Sequence, residues 1–351
     1  MKLQRLNSIF CFILISTKLF AGGYEVETIN SYQANSAFYG SPLITKNLVI
    51  LGNHDKHIYF FNHQGKLVNK YKTDGYVHAT AAEMNNGMIV IGSYDKNLYF
   101  FDSKGNFKNK IGLGGRIFTN VIENLNGELV FGCNNSVIFL NYNNENIFKI
   151  RTKNLIHGSI VKLSSGLMAI GSNDKKMFFI NTSRKVVNKY KTNGWILHSK
   201  PLELSNGVIV FGAYDNKLHF TSTQGEPIGE TYVGGKIHST PIETKNGEIV
   251  CGTYKGKIYF ISLTGKILRE FTANGKIIAS PAELPNGNIL IGSYDKHLYL
   301  LSPKGEKLAK FNTQGKIFSS PKVLNDSTVV CATTKGQVWF LSIQENNLNS
   351  F

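Results

Sequence analysis

The stretch GKIIASPAELPNGNILIGSYDKHLYLLSPKGEKLAKFNT, Gly275 to Thr313, carries four short apolar runs separated by turn residues. Ile277-Ile278-Ala279-Ser280-Pro281 reads as a first strand, Asn288 to Gly292 as a second, Leu298 to Leu301 as a third and Lys307 to Asn312 as a fourth. Pro285-Asn286-Gly287, Ser293-Tyr294-Asp295-Lys296 and Pro303-Lys304-Gly305 lie between them, residue types that supply the backbone angles of tight turns. Runs of β-branched and aromatic residues at this spacing are successive hairpins, so the stretch predicts one four-stranded antiparallel sheet.

The same grammar fills the chain. The glycine that ends the second run recurs as Gly52, Gly92, Gly132, Gly171, Gly212, Gly252 and Gly292, with Ala332 in the eighth place, at steps of 39 to 41 residues. Eight such units predict an all-β, eight-bladed β-propeller with four antiparallel strands per blade, a single domain over residues 23–351. The last unit stops soon after its third run, Val338-Trp339-Phe340-Leu341, and has no fourth. The segment near Tyr24 to Tyr32 aligns with the end of a fourth strand, so the N-terminal strand is expected to complete the last blade and close the ring.

The units also carry a family resemblance. Gly-Lys-Ile-His-Ser-Thr-Pro (Gly235 to Pro241), Asn246 to Gly252 and Ile258 to Lys266 resemble the PQQ-like repeat of quinoprotein alcohol dehydrogenase-like propellers, over all eight units. That superfamily includes quinone-dependent dehydrogenases and cofactor-free propellers of the BamB type, from outer-membrane barrel assembly. Departures from the repeat point to the second group. The tryptophan that usually ends the fourth strand is replaced by Tyr32, Tyr71, Tyr190, Phe271, Phe311, Ile111, Ile150 and Thr231, and no adjacent cysteine pair exists to pack on a quinone. No cofactor is therefore expected, neither the quinone nor the calcium it needs.

The chain has 351 residues, with 34 Gly, 8 Pro and 42% hydrophobic residues, too apolar for a disordered protein. Lys2 and Arg5 before the apolar run Ile9 to Ile15, then Leu19-Phe20-Ala21, read as a signal peptide over residues 1–22, and the run is too short to span a membrane. A periplasmic or secreted protein follows, without a lipid anchor. The 39 basic residues less Lys2, Arg5 and Lys18 leave 36 against 23 acidic ones, a field that favours anionic partners. Cys133, Cys251 and Cys331, odd in number and widely spaced, read as buried small hydrophobes.

Equivalent positions of a propeller form rings, and a site is expected where a ring departs from its structural requirement. First strands line the channel. The loops from fourth to first strands and from second to third strands share one end, the top face. Three residues before the proline position stand Tyr39, His78, Phe118, His157, His198, His238, Ile278 and Phe318. His78, His157, His198 and His238 form a candidate channel-mouth ring, able in principle to hold a metal ion or an anion, although a wide ring is a poor metal site and wedging between blades explains them as well. The following positions are small, Lys200 and Asn120 excepted, and these two could project into the channel.

The turn between second and third strands carries Asp55, Asp95, Asp174, Asp215 and Asp295, which suit an Asx turn. Tyr94, Tyr214, Tyr254 and Tyr294 precede this position, Lys56, Lys96, Lys175 and Lys296 follow it, and Trp195 stands in a neighbouring loop. Tyr94, Trp195, Tyr214, Tyr254, Tyr294, Lys56, Lys96 and Lys296 make a candidate binding rim. No catalytic motif accompanies them: there is no Gly-x-Ser-x-Gly, P-loop, His-Glu-x-x-His or Cys-x-x-Cys. The sequence thus points to a monomeric, non-catalytic scaffold for an envelope protein, peptide or anionic glycan, with no nucleic acid. An envelope enzyme, either a degenerate quinoprotein or a propeller lyase or hydrolase, is the alternative.

Overall fold

The computed structural model describes residues 23–141 and 146–346, so the expected leader at residues 1–22 lies outside the described residues. Its elements are strands, gathered into eight four-stranded antiparallel sheets. Seven sheets take their strands in sequence order, as in Ala282–Glu283, Ile289–Gly292, His297–Leu301 and Lys307–Asn312. The eighth pairs Tyr24–Gln33 with Gln337–Glu345, from Tyr24 opposite Glu345 to Gln33 opposite Gln337. Ring closure by the N-terminal strand is therefore as the repeat alignment predicts. No helix among the described residues is long and apolar enough to cross a membrane.

Pairing in the inner strand differs from the sequence expectation. It is confined to Ala282 and Glu283, not Ile277 to Pro281. Pro281 has no N–H to give, and the residues before it spend theirs elsewhere. Ile277 N donates to Thr253 O at 2.9 Å and Ser280 N to Ser320 Oγ at 2.9 Å. The segment serves as a joint between blades before it becomes a strand.

The joints explain the recurring glycine. A Cβ built on Gly252 would lie 2.0 Å from Cγ2 of Ile277 in the next blade. The same close approach recurs from Gly92 to Ile117, Gly171 to Ile196, Gly212 to Ile237 and Gly292 to Ile317, with Val77 filling the place opposite Gly52. Each glycine leaves room for a β-branched side chain that is itself fully buried. At the closing joint Ala332 and Phe38 are buried in one cluster with Val330, Val338 and Phe340. Every apolar cluster spans two adjacent blades in this way, so neighbours stabilise each other around the circle. Cys133, Cys251 and Cys331 are free and buried within these clusters. Lys70, Lys110, Lys149 and Lys310 project exposed from the outer strands, where charge discourages edge-to-edge pairing.

Candidate functional site

The top face is built on the turn between second and third strands. At Lys56, Lys96, Lys175 and Lys296 this turn enters the left-handed region, with φ between 67° and 74°. Gly256 and Gly336 take that position in the blades whose lysine comes one residue earlier, as Lys255 and Lys335. The aspartate before the turn residue is structural. Asp95 accepts from Tyr99 Oη at 2.8 Å, from Asn97 N at 3.0 Å and from Asp74 N at 3.0 Å. It therefore ties the turn to the loop entering the blade. Asp295 repeats this with Tyr299 Oη at 2.6 Å and Asn274 N at 3.1 Å, and Asp215 uses His219 Nε2 at 3.1 Å in place of a tyrosine. Burial raises the Asp95 carboxyl, but these donors outweigh it and hold the group below the usual carboxylate range.

The tyrosines of the rim stand half-buried, each beside a cation from the loop that enters the next blade. Lys236 lies 5.4 Å from the Tyr214 ring centroid, Lys276 5.1 Å from Tyr254 and Lys316 5.6 Å from Tyr294. Arg116 lies 5.8 Å from Tyr94. These are cation–π distances. Tyr214 Oη donates to Tyr254 Oη at 2.7 Å, and Trp195, 49% exposed, stacks on Tyr214 at 6.3 Å. Burial pushes the Tyr94 and Tyr294 hydroxyls up to about 12, so both stay protonated donors. Lys56, Lys96 and Lys296 stand exposed on their turns, and none is the cation that covers a rim tyrosine. Sequence reasoning missed Arg116, Lys236, Lys276 and Lys316. Their signal is the residue just before the joint isoleucine or valine, which carries a cation in four blades but Tyr76, Leu155 or Trp195 in others.

Inside the rim the four histidines close the channel mouth. His198 stacks on His157 at 5.5 Å and on His238 at 4.6 Å, and His78 lies 5.5 Å from His198. Phe318 meets Tyr39, His198 and His238 edge-on, with centroids 5.0, 5.9 and 5.2 Å away. His54, which sequence reasoning overlooked, accepts or donates one hydrogen bond of 3.1 Å to His78 and stacks on Tyr76 at 4.8 Å. Burial, then the neighbouring imidazoles, lowers His78 to about 3, and burial lowers His238 to about 4. The ring is thus a stack of neutral imidazoles, and among the described residues no group of three or more His, Cys, Asp or Glu is placed to hold a metal ion.

Below the histidines runs a belt of hydroxyls joined across blades. Ser41 N donates to Thr80 Oγ1 at 3.0 Å, Lys200 N to Thr240 Oγ1 at 2.9 Å and Thr240 N to Ser280 Oγ at 2.9 Å. Ser280 N donates to Ser320 Oγ at 2.9 Å and Ser320 N to Ser41 Oγ at 3.1 Å, closing the belt over the seam between the chain's ends. Asn120 enters it with Oδ1, 3.2 Å from Ile160 N. The histidine ring and the belt together line a cavity of about 110 Å³ on the axis. A quinone with its calcium does not fit here: the lining offers imidazoles, aromatic rings and hydroxyls and no carboxylate.

No protein-family model matches the chain, and no curated protein matches it. Among solved structures it is similar to BamB from Moraxella catarrhalis, with a TM-score of 0.75 and 14% identity over 90% of this chain and 97% of that one. It is also similar to the computationally designed Ika8 protein, with a TM-score of 0.72 and 16% identity over 88% of this chain and 97% of that one. At such identities the likeness is one of fold, and the chain folds as a BamB-like, eight-bladed β-propeller.

Proposed function

We propose that the protein is a non-catalytic docking scaffold of the periplasm or the secreted space, and that its top face binds an acidic segment of an envelope protein. The observation that carries this reading is the ladder Tyr214/Lys236, Tyr254/Lys276 and Tyr294/Lys316, set side by side on three successive blades. Its tyrosines offer apolar ring area, Tyr254 and Tyr294 with hydroxyls to donate, and its lysines stand exposed beside the rings. Lys255, Lys296 and Lys335 stand exposed on the same arc, and its two aspartates, Asp215 and Asp295, are taken up by His219 and Tyr299. Trp195 extends the arc with exposed aromatic surface suited to anchoring a partner. The apolar leader at residues 1–22 and the likeness in fold to BamB support a role in envelope assembly.

The test measures binding of acidic, neutral and basic peptides of equal length that carry the same aromatic residues. Acidic peptides are expected to bind with an affinity that falls with added salt. Lys236→Glu, Lys276→Glu and Lys316→Glu together should weaken them at least tenfold. The same reversal at Lys70, Lys149 and Lys310 on the outer strands should leave binding unchanged. Equal loss in both triple variants would reduce the effect to net charge and overturn the assignment to the top face.

A further inference from the structure

The belt of hydroxyls is arranged as a set of donors with nothing to donate to. Thr80, Thr240, Ser280, Ser320 and Ser41 each accept one backbone N–H from the adjacent blade, which uses the oxygen and leaves the hydroxyl proton. None of these protons meets an acceptor among the described residues, although all five residues line the same axial cavity. The Asn120 amide nitrogen is in the same position, since only its oxygen is engaged. With Asn173 Nδ2 donating to His157 Nδ1 at 3.1 Å, the proton of His157 sits on Nε2, adding a further donor at the cavity roof.

Charge on the axis has the same sign. Lys200 occupies the belt position of its blade, and Lys322 lies two residues beyond Ser320 on the inner strand of the last blade. Neither has a carboxylate within ion-pair distance among the described residues. The protein packed around Lys200 pushes its ammonium down. Lys322, exposed at its surface, is pushed down by the protein around its ammonium and then by the charge of Lys200, so the two cations repel. Four of the five acidic side chains of the inner strands are held away from the axis. Glu123, Glu203, Glu243 and Glu283 instead accept backbone N–H groups from the hairpin of the preceding blade, as Glu203 does from Ser164 N at 2.7 Å. A cavity walled by hydroxyl, amide and imidazole donors and free of carboxylates, with Lys200 at one belt position and Lys322 two residues beyond another, is complementary to a small anion.

We propose that the axial channel is an anion site that holds a small inorganic oxyanion of phosphate or sulfate type, bound by the hydroxyl belt and neutralised by Lys200 and Lys322. About 110 Å³ is well above the ~10–15 Å³ that a single water needs, so the cavity admits such an ion with water beside it. Bridging donors from six blades, the ion ties together a ring in which each blade otherwise touches only its neighbours. It also relieves the repulsion between the two lysines.

The test uses the full mature chain and titrates phosphate, sulfate and chloride at constant ionic strength, following the thermal midpoint and the heat of binding. Phosphate or sulfate should raise the midpoint in a saturable way, with one ion bound per chain and chloride weaker. Lys200→Gln combined with Lys322→Gln should weaken that binding at least tenfold, while Lys200→Arg should retain it. The double variant removes two unpaired charges and is expected to fold at least as well as the parent, which its midpoint without phosphate or sulfate checks. Absence of any saturable shift with all three anions would overturn the proposal and leave a water-filled channel. A shift that survives the double variant would overturn it equally, because the ion would then sit elsewhere.

Discussion

The blade wall and the top face are built from the same eight repeats, yet they use them in opposite ways. At the wall one residue pair, glycine against isoleucine, is repeated with little change, from Gly92 and Ile117 to Gly292 and Ile317. On the top face the equivalent positions diverge: the turn carries His54, Tyr94, Asn134, Asn173, Tyr214, Tyr254, Tyr294 and Thr334 in order around the ring. Close packing explains the first, since a 2.0 Å approach admits no larger residue than glycine at Gly252. The second has no such constraint, so its segregation into an aromatic-histidine arc and a tyrosine-lysine arc is where function is to be sought.

Acid should affect the channel mouth before the wall. The imidazole of His238 is 4% exposed and held down to about 4, whereas in the unfolded chain it takes up a proton near the ordinary value of about 6.5. Stability from the neutral imidazole is therefore complete above that ordinary value and is lost as the pH falls from there toward about 4. The loss from this residue alone is on the order of 3 kcal/mol. His238→Phe should flatten the acid limb of a urea-midpoint profile over that window. A profile as steep as the parent's would assign the acid sensitivity to other groups.

The wall is tested at its tightest joint. Gly252→Val forces Ile277 to move and should cost ~1–3 kcal/mol in denaturant unfolding. The triple reversal of Lys236, Lys276 and Lys316 should change stability by less than ~0.5 kcal/mol while changing binding. If Gly252→Val were as mild as that, the contrast between wall and rim would fail. A smaller loss, ~1–2 kcal/mol, is expected for Asp95→Ala, which strands Tyr99 Oη and two loop N–H groups. Because the Asp95 carboxyl lies below its ordinary range, its contribution is present at neutral pH and fades as the pH falls through the folded value. The smallest effect has the opposite sign. Lys296→Gly relieves a φ of 73° and should stabilise by up to ~1 kcal/mol, readable as a raised thermal midpoint.

The architecture was legible because its signals are local. Turn residues and apolar runs follow each other within one unit, and the unit recurs, so strand number, blade number and the donation of Tyr24–Gln33 to the last blade could all be read from spacing. The inner strand was misplaced for a non-local reason: Ser280 N is committed to Ser320, in the next blade. The candidate residues were legible as rings but not as contacts. Tyr214, Tyr254 and Tyr294 were found, whereas the lysines that cover them were not, because each comes from the loop entering the following blade.

What the sequence by itself determined is the repeat and everything that follows from adjacency in the chain: eight sheets, their strand order, their turns and the glycine that each wall joint requires. Tertiary structure alone decided which residues about 40 positions apart touch across the ring. It made His198 and His238 a neutral stack, turned scattered Ser and Thr into a belt that crosses the seam between the chain's ends, and brought Lys322 within the field of Lys200. Local propensity fixes a blade, but the field and hydrogen-bond partners at the axis come from all eight at once.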